Sequence, residues 1–225
     1  MRIVAVIPAY NEATRIGAAV RDVLAFVDQA VVVDDCSLDQ TGSVARESGA
    51  IVLTHLVNRG QGASLQTATD YVLKHLAADI VIHFDADGQM QASDIPALVA
   101  PLVRGEADIV LGSRFLGTEA ENMPVVRRLL LRCGVIFTLV LSGLRVTDSQ
   151  NGFRALSRQA ATDIRLTLDR MSHASEILDL IKVKGLRYQE QPVTIKYSLD
   201  TLHKSPSTWR ALGIAKDMLK KKLVP

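Results

Sequence analysis

The sequence predicts an α/β fold: a Rossmann-like three-layer sandwich around a mostly parallel central sheet. Strand-length apolar runs rich in Val and Ile recur through the first half of the chain. They do not alternate with polar residues, as expected of strands buried on both faces. Helical patterns lie between them, and this alternation is the signature of a parallel sheet.

The elements follow in order. "RIVAVI" at 2–7 is the first strand. It has a short apolar run and no small-residue cleavage site, so it does not read as a signal peptide. Residues 12–27 place Ile16, Val20, Val23, Leu24 and Val27 on one helical face. "AVVVDD" at 30–35 and "AIVL" at 50–53 are the next strands. Residues 63–77 repeat the helical spacing with Leu65, Ala68, Val72, Leu73 and Leu76. "DIVIHF" at 79–84 is the fourth strand, and "ADIVLG" at 107–112 the fifth. The helix at 93–104 between them opens on "SDIP", a cap with Pro in the first turn.

The pattern changes after about residue 115. "LLLRCGVIFTLVLSGLRV" at 129–146 is the most apolar stretch. Its charge-free core, Cys133 to Leu144, falls short of the roughly 20 residues a bilayer span needs. It suits a core helix with solvated basic ends or a helix lying on an anionic lipid surface. Arg127, Arg128, Arg132 and Arg145 flank it. The basic tail "KDMLKKKLVP" at 216–225 has the same two readings. The 225 residues read as one domain with two halves, 1–115 and 116–225, the second ending in a helix.

Composition excludes little but is consistent. Apolar residues make up 48% and charged residues 22%, with a formal net charge of +2. That balance does not suggest a nucleic-acid binder. Cys36 and Cys133 lack metal-ligand spacing and read as free thiols in a reducing, cytoplasmic compartment.

Polar clusters fall at four strand ends: "PAYNE" (8–12), Asp34 with Asp35, "DADGQ" (85–89) and "GSR" (112–114). Each alone is ordinary turn chemistry. Together they mark one rim, where parallel sheets bind ligands. Asp85 and Asp87 form a D-x-D pair, and two carboxylates on one turn can share a hard cation such as Mg²⁺ or Mn²⁺. Such a cation would recruit a diphosphate and neutralise it as it leaves.

These residues resemble the inverting family 2 glycosyltransferases with the GT-A fold. The match runs through "PAYNE", "VVVDDCSLDQTG" (31–42), "RGQGASLQTA" (59–68), "DADGQ", "ADIVLGSRF" (107–115), "NGFRAL" (151–156) and "HKS" (203–205). The later motifs resemble the dolichol-phosphate mannosyltransferase-like branch, which glycosylates polyprenyl phosphates.

The resemblance implies that Pro8, Ala9, Tyr10 and Glu12 line the nucleotide and that Asp35 contacts its base. It implies that Asp85 and Asp87, with Gln89 nearby, hold the metal and diphosphate. Ser113, Arg114 and Arg127 would face the acceptor phosphate, and Lys204 would reach the donor diphosphate. Two departures stand out: Cys36 occupies a position where Gly is usual, and Pro206 follows the closing motif.

The implied reaction is a metal-dependent single displacement with inversion. The donor is a nucleotide diphosphate sugar, GDP-mannose or a UDP-hexose. The acceptor is a dolichyl or undecaprenyl phosphate on the cytoplasmic face of the membrane. Contact with that surface would be peripheral or through a separate anchoring partner. A lipid phosphate is already anionic and needs no base. A hydroxyl of a cell-envelope glycan would need one, and Asp148, Glu176 and Asp179 are the candidates. The plainer reading of Asp148 and Glu176 is that they are solvated or capping carboxylates. His83 reads as packed within its strand, and Trp209 as an anchor in a last helix. A sugar-phosphate nucleotidyltransferase is a third reading, but "PAYNE" stands where its Gly-rich loop would be.

Overall fold

The computed structural model describes residues 1–116, 143–167 and 173–196. Among them, seven strands form one sheet: β1 (Ile3–Ala9), β2 (Gln29–Asp34), β3 (Ile51–Thr54), β4 (Ile80–His83), β5 (Ile109–Ser113), β6 (Arg154–Ser157) and β7 (Tyr188–Pro192). Their spatial order is β3-β2-β1-β4-β6-β5-β7. All neighbours pair in parallel except β6, which runs antiparallel to β4 and β5. The sheet therefore takes strands from both sides of residue 115.

Helices cover both faces, giving three layers. On one side α1 (Ile16–Leu24), α2 (Thr41–Glu47) and α4 (Ile95–Val103) pack on Ile7, Val32 and Ile82. On the other, α3 (Gln61–His75), α5 (Arg158–Asp163) and α6 (His173–Lys184) pack on Val6, Val33 and Val81. Alternate residues of the central strands thus enter opposite cores, so the uninterrupted apolar runs are needed on both faces. Each fully buried Val, Leu or Ile contributes about 1.5–3 kcal/mol.

Three local expectations are corrected. β3 is an edge strand, with Ile51, Val52 and Leu53 only partly buried and Thr54 exposed. The first helix begins at Ile16, not Glu12. The preceding residues close a turn, with Glu12 O accepting from Arg15 N and Ile16 N. Asp94 precedes α4 without a side-chain cap bond, although Pro96 is in its first turn as expected. The Asp94 carboxylate instead accepts from Thr194 N at 2.7 Å, tying the helix start to the segment after β7.

The apolar stretch at 129–146 lies mostly outside the described residues. Of its described end, Leu144 and Val146 are buried. No helix among the described residues is long and apolar enough to cross a membrane.

Gly112 shows how tightly β5 and β6 approach. A Cβ there would lie 2.9 Å from Phe153 O and 3.0 Å from both Val193 methyls. Gly112→Ala is expected to destabilise the fold by about 1–3 kcal/mol, the usual cost of forcing a methyl into a packed core. Chemical denaturation checks it through a lower midpoint at an unchanged slope.

Candidate active site

β1 and β4 lie side by side while β2 and β3 continue beyond β1. The strand order reverses there, and a crevice opens past the carboxyl ends. "PAYNE" leaves β1 and "DADGQ" leaves β4 at that crevice.

The loops after β1 and β2 are laced together. Asn11 adopts φ 54°, a left-handed conformation that Asn tolerates. Its Oδ1 accepts from Leu38 N at 2.8 Å, and its own N donates to Ser37 Oγ at 3.0 Å. Glu12 N donates to Thr41 Oγ1 at 2.8 Å, and the Glu12 carboxylate pairs with Arg15 at 3.1 Å. Pro8 and Ala9 end β1, and Tyr10 just after them is 45% exposed. Cys36, a free thiol, has φ 63°, which explains why Gly suits this position.

Asp35 is buried and heavily engaged. Its carboxylate accepts from Arg59 N at 2.9 Å and Gly60 N at 2.6 Å, and it meets His55 Nδ1 at 2.7 Å. His55 Nε2 lies 3.0 Å from Thr67 Oγ1. Asp35 thus anchors the Gly-rich segment that starts α3. That anchoring claims much of the hydrogen-bonding capacity that contact with a base would use.

Asp85, Asp87 and Gln89 share the turn that follows β4. Asp85 Oδ1 accepts from Gln61 Nε2 at 2.7 Å. Gly152 packs against the other oxygen, so close that a Cβ there would lie 2.9 Å from Oδ2. Asp87 Oδ1 accepts from Gln89 N at 3.0 Å. Burial, and then repulsion from Asp87, push the Asp85 carboxyl up to about 7. A donor set of two crowded carboxylates, one of them easily protonated, fits a divalent cation that would relieve the repulsion. Among the described residues no cluster of three or more His, Cys, Asp or Glu adds further ligands. Waters and substrate oxygens would complete the shell, the usual habit of Mg²⁺.

At the far side, Arg114 and Asp148 form a buried fork. Arg114 Nε and Nη2 donate to the two Asp148 oxygens at 2.6 and 2.7 Å, and Arg114 N adds a bond at 3.1 Å. Asp148 is therefore neither solvated nor a helix cap. Glu176 is also buried, and it accepts from Thr167 Oγ1 at 2.6 Å and Thr167 N at 3.1 Å. Ser113 is fully buried behind the rim. Its hydroxyl lies 2.6 Å from Thr147 Oγ1, and Glu190 in turn accepts from Thr147. Asp179 is partly exposed on α6.

Beneath the D-x-D turn lie Arg154 and His83. Arg154 sits on β6 directly opposite His83 on β4. It is 2% exposed, and its Nη1 has no hydrogen-bond partner among the described residues. Desolvation lowers it to about 10, opposed by the charges of Asp85 and Asp148. His83 is packed in its strand as expected. Burial first, then Arg154 and His173, hold it neutral by pushing it down to about 3. Arg154 lies within "NGFRAL" and Gln61 within "RGQGASLQTA", so the motifs held both residues without giving their roles. Arg127, Lys204, Cys133 and Trp209 lie outside the described residues.

The sequence profile of Glycosyl transferase family 2 matches residues 4–165. A UDP-N-acetylglucosamine–dolichyl-phosphate N-acetylglucosaminyltransferase of Methanococcus voltae is 32% identical, over 86% of this chain and 85% of that protein. An undecaprenyl-phosphate mannosyltransferase of Micrococcus luteus is 29% identical, over 84% of this chain and 75% of its own. Among solved structures, glucosyl-3-phosphoglycerate synthase of Mycobacterium tuberculosis, in complex with Mn²⁺, UDP and glucosyl-3-phosphoglycerate, superposes with a TM-score of 0.70. It covers 97% of this chain and 77% of that one at 23% identity, a likeness of fold.

Proposed function

The chain belongs to glycosyl transferase family 2, and from that premise we propose that it moves a sugar from a nucleotide diphosphate sugar to a polyprenyl phosphate. The observation that carries the choice of acceptor is the state of Asp148 and Glu176, the two buried members of the three candidate bases. Asp148 is held in a two-pronged ion pair by Arg114, and Glu176 is held by Thr167. A hydroxyl acceptor would need a carboxylate able to take its proton. A phosphate arrives already charged. The relatives named for dolichyl and undecaprenyl phosphates support the same reading.

In this reading Asp85 and Asp87 hold Mg²⁺ or Mn²⁺, with Gln89 beside them. When bound, the cation would offset charge on the departing nucleoside diphosphate. The chain's own residues do the rest. Pro8, Ala9, Tyr10 and Glu12 line the nucleotide, and Asp35 shapes its pocket by fixing the Gly-rich segment. Arg114, aimed by Asp148, and Arg127, at the start of the most apolar stretch, bind the acceptor phosphate. A planar guanidinium suits two phosphate oxygens; Arg127 would supply that fork, because Asp148 takes the two-pronged edge of Arg114. Lys204 meets the donor diphosphate. The attack is an inverting single displacement, and the lipid tail makes membrane contact peripheral. The proposal needs no separate anchoring partner. Calorimetric titration with UDP and GDP, each with Mn²⁺, tests the donor side. Saturable binding of one of them only with metal is expected, and binding of neither would overturn the reading.

The raised Asp85 carboxyl gives a pH dependence. With its carboxyl raised to about 7, Asp85 is protonated in part at neutrality and mostly below it, and a cation must displace that proton. Mn²⁺ affinity is therefore expected to rise about tenfold per pH unit below about 7 and to level off above it. Titrations at several pH values check this, and a flat profile would contradict it.

A further inference from the structure

We propose that Gln61 is a positioning residue that aims the Asp85 carboxylate at the cation. The inference rests on Asp85 and Asp87 being the cation's ligands.

Gln61 is the first residue of α3, and its place is fixed from behind. Gly60, just before it, has φ 88° and ψ 171°, a conformation open only to glycine. Gly60 N donates to Asp35 at 2.6 Å, and Gly60 O accepts from Ser64 N at 3.1 Å. Arg59 N donates to the same Asp35 carboxylate at 2.9 Å. That carboxylate is itself braced by His55 at 2.7 Å. The backbone that carries Gln61 is thus pinned by a buried carboxylate just past the end of β2.

From this fixed root the Gln61 amide reaches across to β4's turn and donates to Asp85 Oδ1 at 2.7 Å. An amide N–H to a carboxylate is a charge-assisted bond, stronger than a neutral one. The other oxygen, Oδ2, faces Gly152, where an added Cβ would lie only 2.9 Å away. The Gln61 bond fixes Oδ1, and the space beside the carboxylate is so narrow that a Cβ at Gly152 would also come within 3.4 Å of Oδ1, which limits how far the group can turn. Asp85 is set before any ligand arrives, and preset ligands bind metal more tightly. The route Asp35–Gly60–Gln61–Asp85 also joins the proposed nucleotide pocket to the cation ligands through one short segment.

The test is Mn²⁺ alone, followed by the paramagnetic resonance signal of the free ion at pH 8, on the parent, Gln61→Leu and Gln61→Asn. Leu keeps the bulk and removes the donor. Asn keeps the amide and draws it back by one methylene, so it serves if the Leu variant misfolds by circular dichroism. Both are expected to weaken Mn²⁺ by about 10- to 100-fold, the usual effect of losing a ligand's supporting partner. Far-ultraviolet circular dichroism should match the parent. Affinity within about twofold of the parent in a folded variant would overturn the proposal. Lower thermal stability with unchanged Mn²⁺ affinity would do the same, by making Gln61 merely structural. A parent that takes up no Mn²⁺ would remove the underlying reading of Asp85 and Asp87 as well.

Discussion

Asp87→Ala is expected to lower sugar transfer by at least about a thousandfold, equivalent to roughly 4 kcal/mol of lost transition-state stabilisation. Asp87 sits on the turn after β4 with its Oδ1 held by Gln89 N at 3.0 Å, so its removal disturbs the turn rather than the sheet. Its neighbour Asp85 loses the like charge that helps push its carboxyl up to about 7. The fold should therefore survive while metal-dependent nucleotide binding weakens. Steady-state rates and a thermal melt of the same preparation check both halves. Full activity in the variant, or in the parent with excess chelator, would remove the metal from the account.

Asp148→Ala is expected to act on the fold first. The substitution deletes the partner of a nearly buried guanidinium, Arg114, whose bonds to Asp148 are 2.6 and 2.7 Å long. It also removes one of the two anions that balance buried Arg154. Breaking one side of a buried pair costs about 3–5 kcal/mol, because the remaining charge stays desolvated. A drop in Tm on the order of 10 °C follows for a chain of this size. Asp148→Asn keeps the shape and one acceptor oxygen, and it separates two roles for Asp148. If Asp148 positions Arg114, the acceptor's KM rises while the acid limb of the pH–rate profile stays. If it were the base, that limb would vanish and kcat would fall.

Much of the first half of the fold was legible because β1, β2, β4 and β5 are buried on both faces and α1 and α3 each show an apolar stripe. The short α2 buries only Thr41 and Ala45 and left no such mark. The rim was legible for the same reason, since charged residues closing such strands must lead to solvent or a ligand. β6 was not legible. It has only four residues, Arg154 to Ser157, and an arginine lies at its start. Nothing local marks such a strand, and only the partners β4 and β5 on either side make it one. The same cause hid Arg154 and the Asp148 fork, whose meaning depends on which strands are neighbours. β3 misled in the opposite sense, since "AIVL" has the composition of a central strand but occupies the edge. Asp35 was legible as a strand-end carboxylate. Its bonds to Arg59 N, Gly60 N and His55 come from a segment 20 to 25 residues on, beyond the reach of any local pattern.

The central claim is that the acceptor is a phosphate carried on a polyprenyl chain. The most direct measurement offers radiolabelled GDP-mannose, UDP-glucose and UDP-N-acetylglucosamine, with Mn²⁺, to a polyprenyl phosphate and to the matching polyprenol. Label extracted into the lipid phase is then counted. The account predicts a labelled lipid from one donor with the phosphate and none with the alcohol. Equal labelling of the alcohol, or transfer to a glycan with none to any polyprenyl phosphate, would contradict it.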